Sequence, residues 1–306
     1  MQENNERRNP FLLAPSFALI YLPVFGILSF IPFGEGVIAY VFGILAVLLV
    51  LGGSVAMAFY LRGGKWLGTC MRTRARGGFL LCLFAVGIMM MQGVMIRAFL
   101  IGDLYDYRVY SLYGMSFETV TDSFGVFLLA YVALAAVPAL LEGFLFRGFF
   151  MYEYRHAGVL LSALISSCLY GMTGMSFAEF PVLFLNGIVL CAVAFLTGNI
   201  FYSISAQLIY GLFALSVEKY FMFIAAETPA LSFLVLAALG LFFVICFCGS
   251  ADKMLRERAE NEDRLPIRLK KGRTLTVLSD IFSVPMIWAD VFCFALIGIL
   301  HIFLDA

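Results

Sequence analysis

Four ionisable side chains stand inside segments that are otherwise apolar. Glu142 and Arg147 interrupt the run ALLEGFLFRGFF (139–150), and Arg97 and Asp290 stand in two further apolar runs. A charge placed in a membrane-spanning helix costs about 3 kcal/mol or more, so it needs a partner or a water-filled cavity. Arg97 and Arg147 lie near the ends of their runs, where long side chains reach the lipid headgroups. The shorter Glu142 and Asp290 lack that option, so they are the stronger candidates for function.

The elements that must position these residues are membrane-spanning helices. Of 306 residues, 63% are hydrophobic and only 13% are charged, and the mean hydropathy is +0.99. A bilayer core of about 30 Å takes about 20 apolar residues per helix, and runs of that kind recur along the chain. The predicted fold class is all-α, a polytopic membrane protein with about nine transmembrane helices. The predicted spans are 11–33, 37–61, 79–101, 123–146, 158–175, 181–197, 199–216, 229–248 and 281–304.

The basic residues predict the orientation, because cytoplasmic loops are enriched in Lys and Arg. Segment 62–78 carries five basic residues and no acid, whereas segment 102–122 has four acids and one Arg. With the N-terminus in the cytoplasm and the C-terminus outside, 17 of the 20 Lys and Arg lie on the cytoplasmic side. We expect an integral protein of a bacterial plasma membrane with lipid as a partner. This basic pattern is what insertion requires, so nucleic acid is not predicted as a partner.

Three stretches resemble the motifs of a known family. LLEGFLFRGFF resembles the Glu-Glu-x-x-x-Arg motif of the CPBP (CAAX protease and bacteriocin-processing, or Abi) intramembrane proteases. SALISSCLYGMTG (162–174) is similar to the second motif, Phe-x-x-x-His, and LTGNIFYSISAQLIYGLFAL (196–215) is similar to the segment of the third, His-x-x-x-Asn or Asp. We therefore divide the chain into N-terminal helices (1–122), a CPBP-like core (123–216) and C-terminal helices with a basic loop (217–306).

The resemblance implies an endopeptidase acting on a membrane-associated peptide. Its first Glu would activate water, with histidines and a metal ion or cation stabilising the oxyanion. Glu142 matches this general base and Arg147 matches the motif arginine. Tyr170 stands at the aromatic position of the second motif, and Gln207 stands at the histidine of the third, so both are candidate replacements in the site.

Three further motif positions hold glycine. The second Glu of the first motif is Gly143, the second-motif His is Gly174 and the closing Asn is Gly211. A zinc site needs three or four Cys, His or carboxylate ligands, and these residues supply none. No cofactor is predicted, although the family type would use a divalent metal. The two histidines, His156 and His301, are expected on opposite sides of the bilayer, where they do not share a metal.

The residues leave three functions open. The first is a divergent intramembrane protease with Glu142 as general base, degenerate or inactive, so enzyme activity is uncertain. The second is a non-catalytic scaffold, in which Glu142 pairs with Arg147 or bonds to Gln207 and Tyr170. A direct pair with Arg147 is awkward on a regular helix, because five residues place it about 140° away, unless the helix unwinds there. The third is a small-solute transporter using Glu142, Asp290 and Arg97.

Overall fold

The computed structural model describes residues 11–31, 36–70, 77–101, 109–118, 123–260 and 273–304. These residues form helices almost throughout, which confirms the all-α polytopic membrane fold. The twelve helices of the described residues are α1 Leu13–Ser29, α2 Val37–Arg62, α3 Lys65–Cys70, α4 Gly78–Phe99, α5 Phe124–Ala157, α6 Val159–Met172, α7 Phe180–Thr197, α8 Ile200–Ser216, α9 Glu218–Glu227, α10 Pro229–Glu260, α11 Arg273–Phe282 and α12 Pro285–Leu304.

The count of nine spans is not confirmed. Within the described residues, six helices are long and apolar enough to cross a membrane, and a seventh is added if α8 and α9, bent by 55°, form one span. The predicted first and fifth spans are apolar helices of only 17 and 14 residues, α1 and α6. Each predicted span nevertheless coincides with an apolar helix.

Small residues allow the helices to approach closely, as expected where lipid removes the hydrophobic drive between spans. A Cβ atom on Gly87 of α4 would lie 2.5 Å from the Phe243 ring of α10, and one on Gly187 of α7 would lie 2.9 Å from Ser167 of α6. The turn between α7 and α8 is equally tight. Gly198 adopts a positive φ of 63° there, and the Asn199 side chain accepts a bond from the first turn of α8.

A β-hairpin packs against the outward-predicted ends of these helices. Strand β1 (Val109–Leu112) pairs antiparallel with β2 (Met115–Glu118), with Ser111 opposite Ser116. Sequence analysis treated 102–122 only as an acidic loop. The missed signal is the alternation in VYSLYGMSFE, which is typical of a half-buried strand pair.

Candidate functional site

Glu142 and Arg147 lie side by side because α5 changes its helical pitch between them. Residues Gly143–Phe150 are π-helical, and a π-helix bonds residue i to residue i+5 rather than i+4. This wider turn brings Arg147 beneath Glu142, with its Nη1 4.0 Å from the Glu142 Oε2. The helix must unwind for Glu142 and Arg147 to pair, and the π-helical segment of α5 provides this unwinding.

Both carboxylate oxygens of Glu142 accept hydrogen bonds inside the protein. Tyr113 at the hairpin tip donates to Oε1 at 2.5 Å, and the amide of Gln207 on α8 donates to Oε2. The same amide also lies 3.4 Å from the hydroxyl of Tyr170 on α6. Glu142 is only 3% exposed. The carboxylate thus joins three helices and the hairpin.

Arg147 is enclosed rather than extended to the headgroups. Its Nη1 donates to the Gln207 Oε1 at 2.9 Å, and its guanidinium lies 4.4 Å from the centre of the Tyr170 ring. The residue is 2% exposed, so the headgroup placement suggested by its sequence position is wrong. The wider turn of α5 rotates its side chain inward. Within the described part of the chain, its Nε and Nη2 have no acceptor.

Tyr113 is the site residue that sequence analysis missed. It has a positive φ of 53° and is followed by Gly114 at 76°, the left-handed pair that a tight hairpin turn requires. A bulky residue in that region is a conformational outlier. Burial and the Glu142 carboxylate raise the pKa of Tyr113 well above its usual value, so its hydroxyl remains a donor.

The three glycines at family motif positions do not leave open space for ligands. A Cβ atom at Gly143 would overlap the Ile204 side chain of α8, and one at Gly211 would lie 2.5 Å from the Cβ of Ala135 on α5. Ala135 has no rotamer that relieves this contact. At Gly174 the nearest atom would be Leu183 Cδ1 at 2.8 Å. Neighbouring residues have filled the volume that ligand side chains would need.

The donor set does not suit a divalent metal of the family type. Glu142 is accompanied by a glutamine amide, an arginine and tyrosine hydroxyls. No group of three or more His, Cys, Asp or Glu side chains in the described ranges is arranged to hold a metal ion. His301 is bonded instead to Ser29 at 2.8 Å and stacks on Phe30, whereas His156 lies exposed at the end of α5.

The remaining charged candidates lie outside this cluster. Arg97 at the end of α4 binds Glu179 through two bonds and Glu218 at 2.5 Å, so its predicted placement at the headgroups is also wrong. The two glutamates neutralise it within the protein. Asp290 on α12 is fully buried, and in the described structure neither of its oxygens has a partner. Neither oxygen accepts a bond from a hydroxyl or amide of the described residues.

Comparison with known proteins finds a family match over the segment that contains Glu142, Arg147, Tyr170 and Gln207. Residues 124–213 match the family model described as Rce1-like, type II CAAX prenyl endopeptidase. No curated protein and no solved structure matches the chain. The family match confirms, over residues 124–213, that this membrane protein is similar to the CAAX proteases of the CPBP family.

Proposed function

We propose that this chain binds a membrane-associated peptide at the Glu142 cluster without hydrolysing it. The observation that carries the proposal is the state of the Glu142 carboxylate, whose two oxygens are occupied by Tyr113 and Gln207. A general base must lie within hydrogen-bond reach of the proton that it removes, whereas this carboxylate is only 3% exposed and is bonded at both oxygens to other parts of the protein. Here Glu142 acts as the structural centre of a hydrogen-bond network that holds α5, α6, α8 and the hairpin together.

The filled glycine positions support the loss of hydrolysis. An oxyanion needs donors or a cation placed where its charge develops, and the resemblance places the family's two histidines and closing Asn at positions that are Gly174, Gln207 and Gly211 here. A Cβ atom at Gly174 would lie 2.8 Å from Leu183 Cδ1, and one at Gly211 would lie 2.5 Å from the Cβ of Ala135. Among the residues that the structure describes, Arg147 is the charged donor beside Glu142.

Arg147 is the group that supports peptide binding. Its Nε and Nη2 are buried donors without an acceptor in the described part of the chain, and leaving a buried donor unsatisfied costs about 1–3 kcal/mol. A peptide carbonyl or carboxylate would accept from both, because the planar guanidinium presents its donors as a fork. The ligand class that we propose is therefore a peptide segment that brings a backbone or terminal oxygen to Arg147.

One observation favours an active protease as the second candidate. The bond to Oε1 of Glu142 comes from a hairpin tip and not from a helix, so withdrawal of Tyr113 would free this oxygen for water. In that case Glu142 is the general base, and Arg147 stabilises the oxyanion. The two candidates differ in whether a bound peptide is cleaved.

The test uses purified protein in liposomes and a farnesylated peptide ending in Cys-aliphatic-aliphatic-X, with binding followed by fluorescence anisotropy and cleavage by mass spectrometry. We expect binding without cleavage by both wild type and Glu142→Gln. Arg147→Lys keeps the charge but not the fork, and we expect it to weaken binding about tenfold. Arg155→Lys is the matched control, because Arg155 also lies over a tyrosine ring but is exposed.

Cleavage by wild type that Glu142→Gln abolishes would establish the protease instead. Absence of binding by any form would overturn both the ligand class and the role of Arg147.

We also propose that the protein lies in a bacterial plasma membrane with a cytoplasmic N-terminus and an external C-terminus, in contact with anionic lipid. The distribution of Lys and Arg supports this orientation. Reporter fusions at each terminus test it, and an external N-terminal reporter would contradict it.

A further inference from the structure

The hairpin 109–118 has two unlike faces. Its strand register puts Tyr110, Leu112, Met115 and Phe117 on one face and Ser111 with Ser116 on the other. Leu112, Met115 and Phe117 are buried, whereas both serines are exposed. The hairpin is therefore seated by its apolar face on the helices, in the manner of a strand pair covering a core.

The tip of the hairpin fits closely into the helical bundle. The Tyr113 ring stacks on Phe25 of α1 at 4.3 Å between centroids. A Cβ atom on Gly114 would lie 2.7 Å from the Cβ of Ser29 and 2.9 Å from that of Met175, so only glycine fits between the end of α1 and the turn that follows α6. The tip is enclosed by these two segments.

The hairpin also lies directly over the Glu142 cluster. Tyr113 provides the bond to Oε1 of Glu142, and Tyr110 is within electrostatic range of Arg97 and Tyr170. An incoming peptide would meet the hairpin before it reached Glu142 from this side. The positive φ of Tyr113 belongs to the two-residue turn between Leu112 and Met115, and this turn directs the Tyr113 ring into the bundle against Phe25.

We propose that hairpin 109–118 is a plug that occupies the place of an extended peptide beside Glu142, and that the Tyr113–Glu142 bond is its latch. The proposal rests on the peptide-binding function above and names its regulation and ligand. The plug itself indicates the ligand chemistry, an extended segment with apolar side chains at alternate positions and a hydrogen-bond donor for Glu142. Binding of such a segment requires the plug to withdraw, which breaks the bond between Tyr113 and Glu142.

Hydrogen–deuterium exchange of the full-length protein in detergent tests the latch. Tyr113→Phe keeps the ring and removes the bond to a buried carboxylate, so we expect amides of 109–118 to exchange at least about tenfold faster. Helices α1 and α8 should be unchanged. Tyr131→Phe is the matched control, because it removes a tyrosine bond, at 3.2 Å to the Leu208 carbonyl, in which neither Glu142 nor the hairpin takes part.

Three results of this experiment would overturn the proposal. Exchange of 109–118 in the wild type at the rate of an unstructured peptide would mean that the hairpin is not seated. An unchanged rate in Tyr113→Phe would mean that Glu142 is not the latch. An equal rise across α1 and α8 would mean that Tyr113 supports the whole fold rather than a plug.

A second experiment tests whether the hairpin occupies a peptide-binding position beside Glu142. A synthetic peptide with the sequence of residues 109–118 and a photo-crosslinking group is offered to each protein. We expect it to crosslink to Tyr113→Phe at least about fivefold more than to the wild type, at residues of α1 or α5. Equal crosslinking to both proteins, or none to either, would overturn the assignment of a peptide-binding place.

These readouts separate the plug from the proposed function. Exchange of 109–118 reports the latch whether or not any peptide is cleaved. Cleavage of the farnesylated peptide would contradict the non-catalytic function but not the proposal that the hairpin is a plug. If the hairpin of Tyr113→Phe exchanged faster while peptide binding stayed at the wild-type level, only the plug proposal would be contradicted.

Discussion

Two arginines on the apolar helices, the half-buried Arg97 and the buried Arg147, are held in contrasting ways. Arg97 makes two bonds to Glu179 and a third to Glu218, at 2.5–3.1 Å, so that direct ion pairs surround its guanidinium. Arg147 lies 4.0 Å from its nearest carboxylate, bonds to the neutral Gln207 and has two N–H groups without an acceptor in the described ranges. The first cluster satisfies its charges internally, whereas the second retains binding capacity. A buried charge is thus informative about function when its bonding is incomplete.

The largest effect is expected for Arg97→Ala. It leaves two carboxylates without their cation, and Glu218 is only 4% exposed, so we expect unfolding free energy to fall by about 3–5 kcal/mol. Denaturant unfolding in detergent measures the change. Arg256→Ala is the control, because its ion pair with Asp252 is exposed and should contribute less than about 0.5 kcal/mol. A loss at Arg97 no larger than this would remove the contrast between the clusters.

The next effect is expected for Gly211→Ala, which tests whether the space beside Arg147 is closed. The added methyl meets Ala135 at 2.5 Å, and overpacking of this kind costs about 1–3 kcal/mol. The double variant with Ala135→Gly should recover most of the loss. Gly249→Ala is the control, since its Cβ would meet nothing within 4 Å. A neutral Gly211→Ala would show that the cavity has room for ligand side chains.

A smaller loss is expected for Arg147→Met. It leaves the Glu142 carboxylate without its cation at 4.0 Å and the Gln207 Oε1 without its donor. It also removes two unsatisfied donor nitrogens, and Glu142 keeps its bonds from Tyr113 and Gln207, so the net cost should be about 1–2 kcal/mol. Peptide binding should be lost in the same variant. Thermal unfolding and anisotropy together measure this, and a cost as large as that of Arg97→Ala would mean that both clusters are structural.

The smallest effect is expected for Asp290→Leu. The carboxylate makes no bond to any described residue, and replacing an unpaired buried polar group with an apolar one of similar size is neutral or stabilising. We expect unfolding free energy to stay within about 1 kcal/mol of the wild type. A large loss would assign Asp290 a partner and add a third charged cluster to the comparison.

The sequence predicts the apolar helices and the cluster of Glu142, Arg147, Tyr170 and Gln207. Both predictions need only local information, because hydropathy and motif spacing can be read within a single segment of the chain. It did not predict that Arg147 is buried, since the inward rotation depends on a local change of pitch that leaves no composition signal. Nor did it identify Tyr113, whose contact with Glu142 spans 29 residues. The filling of Gly211 by Ala135 depends on helix packing and is invisible in a list of motif residues.

The π-helical segment Gly143–Phe150 also makes the length of α5 a functional constraint. Restoring α-helical pitch there would carry Arg147 about 140° away from Glu142 and redirect every later residue of the helix, including Tyr154, which stacks on Phe11. Substitutions that restore this pitch without changing the length of the helix would therefore misorient every residue that follows the segment. Each side chain would still be present, but the peptide site and the packing at the end of α5 would no longer be aligned with each other.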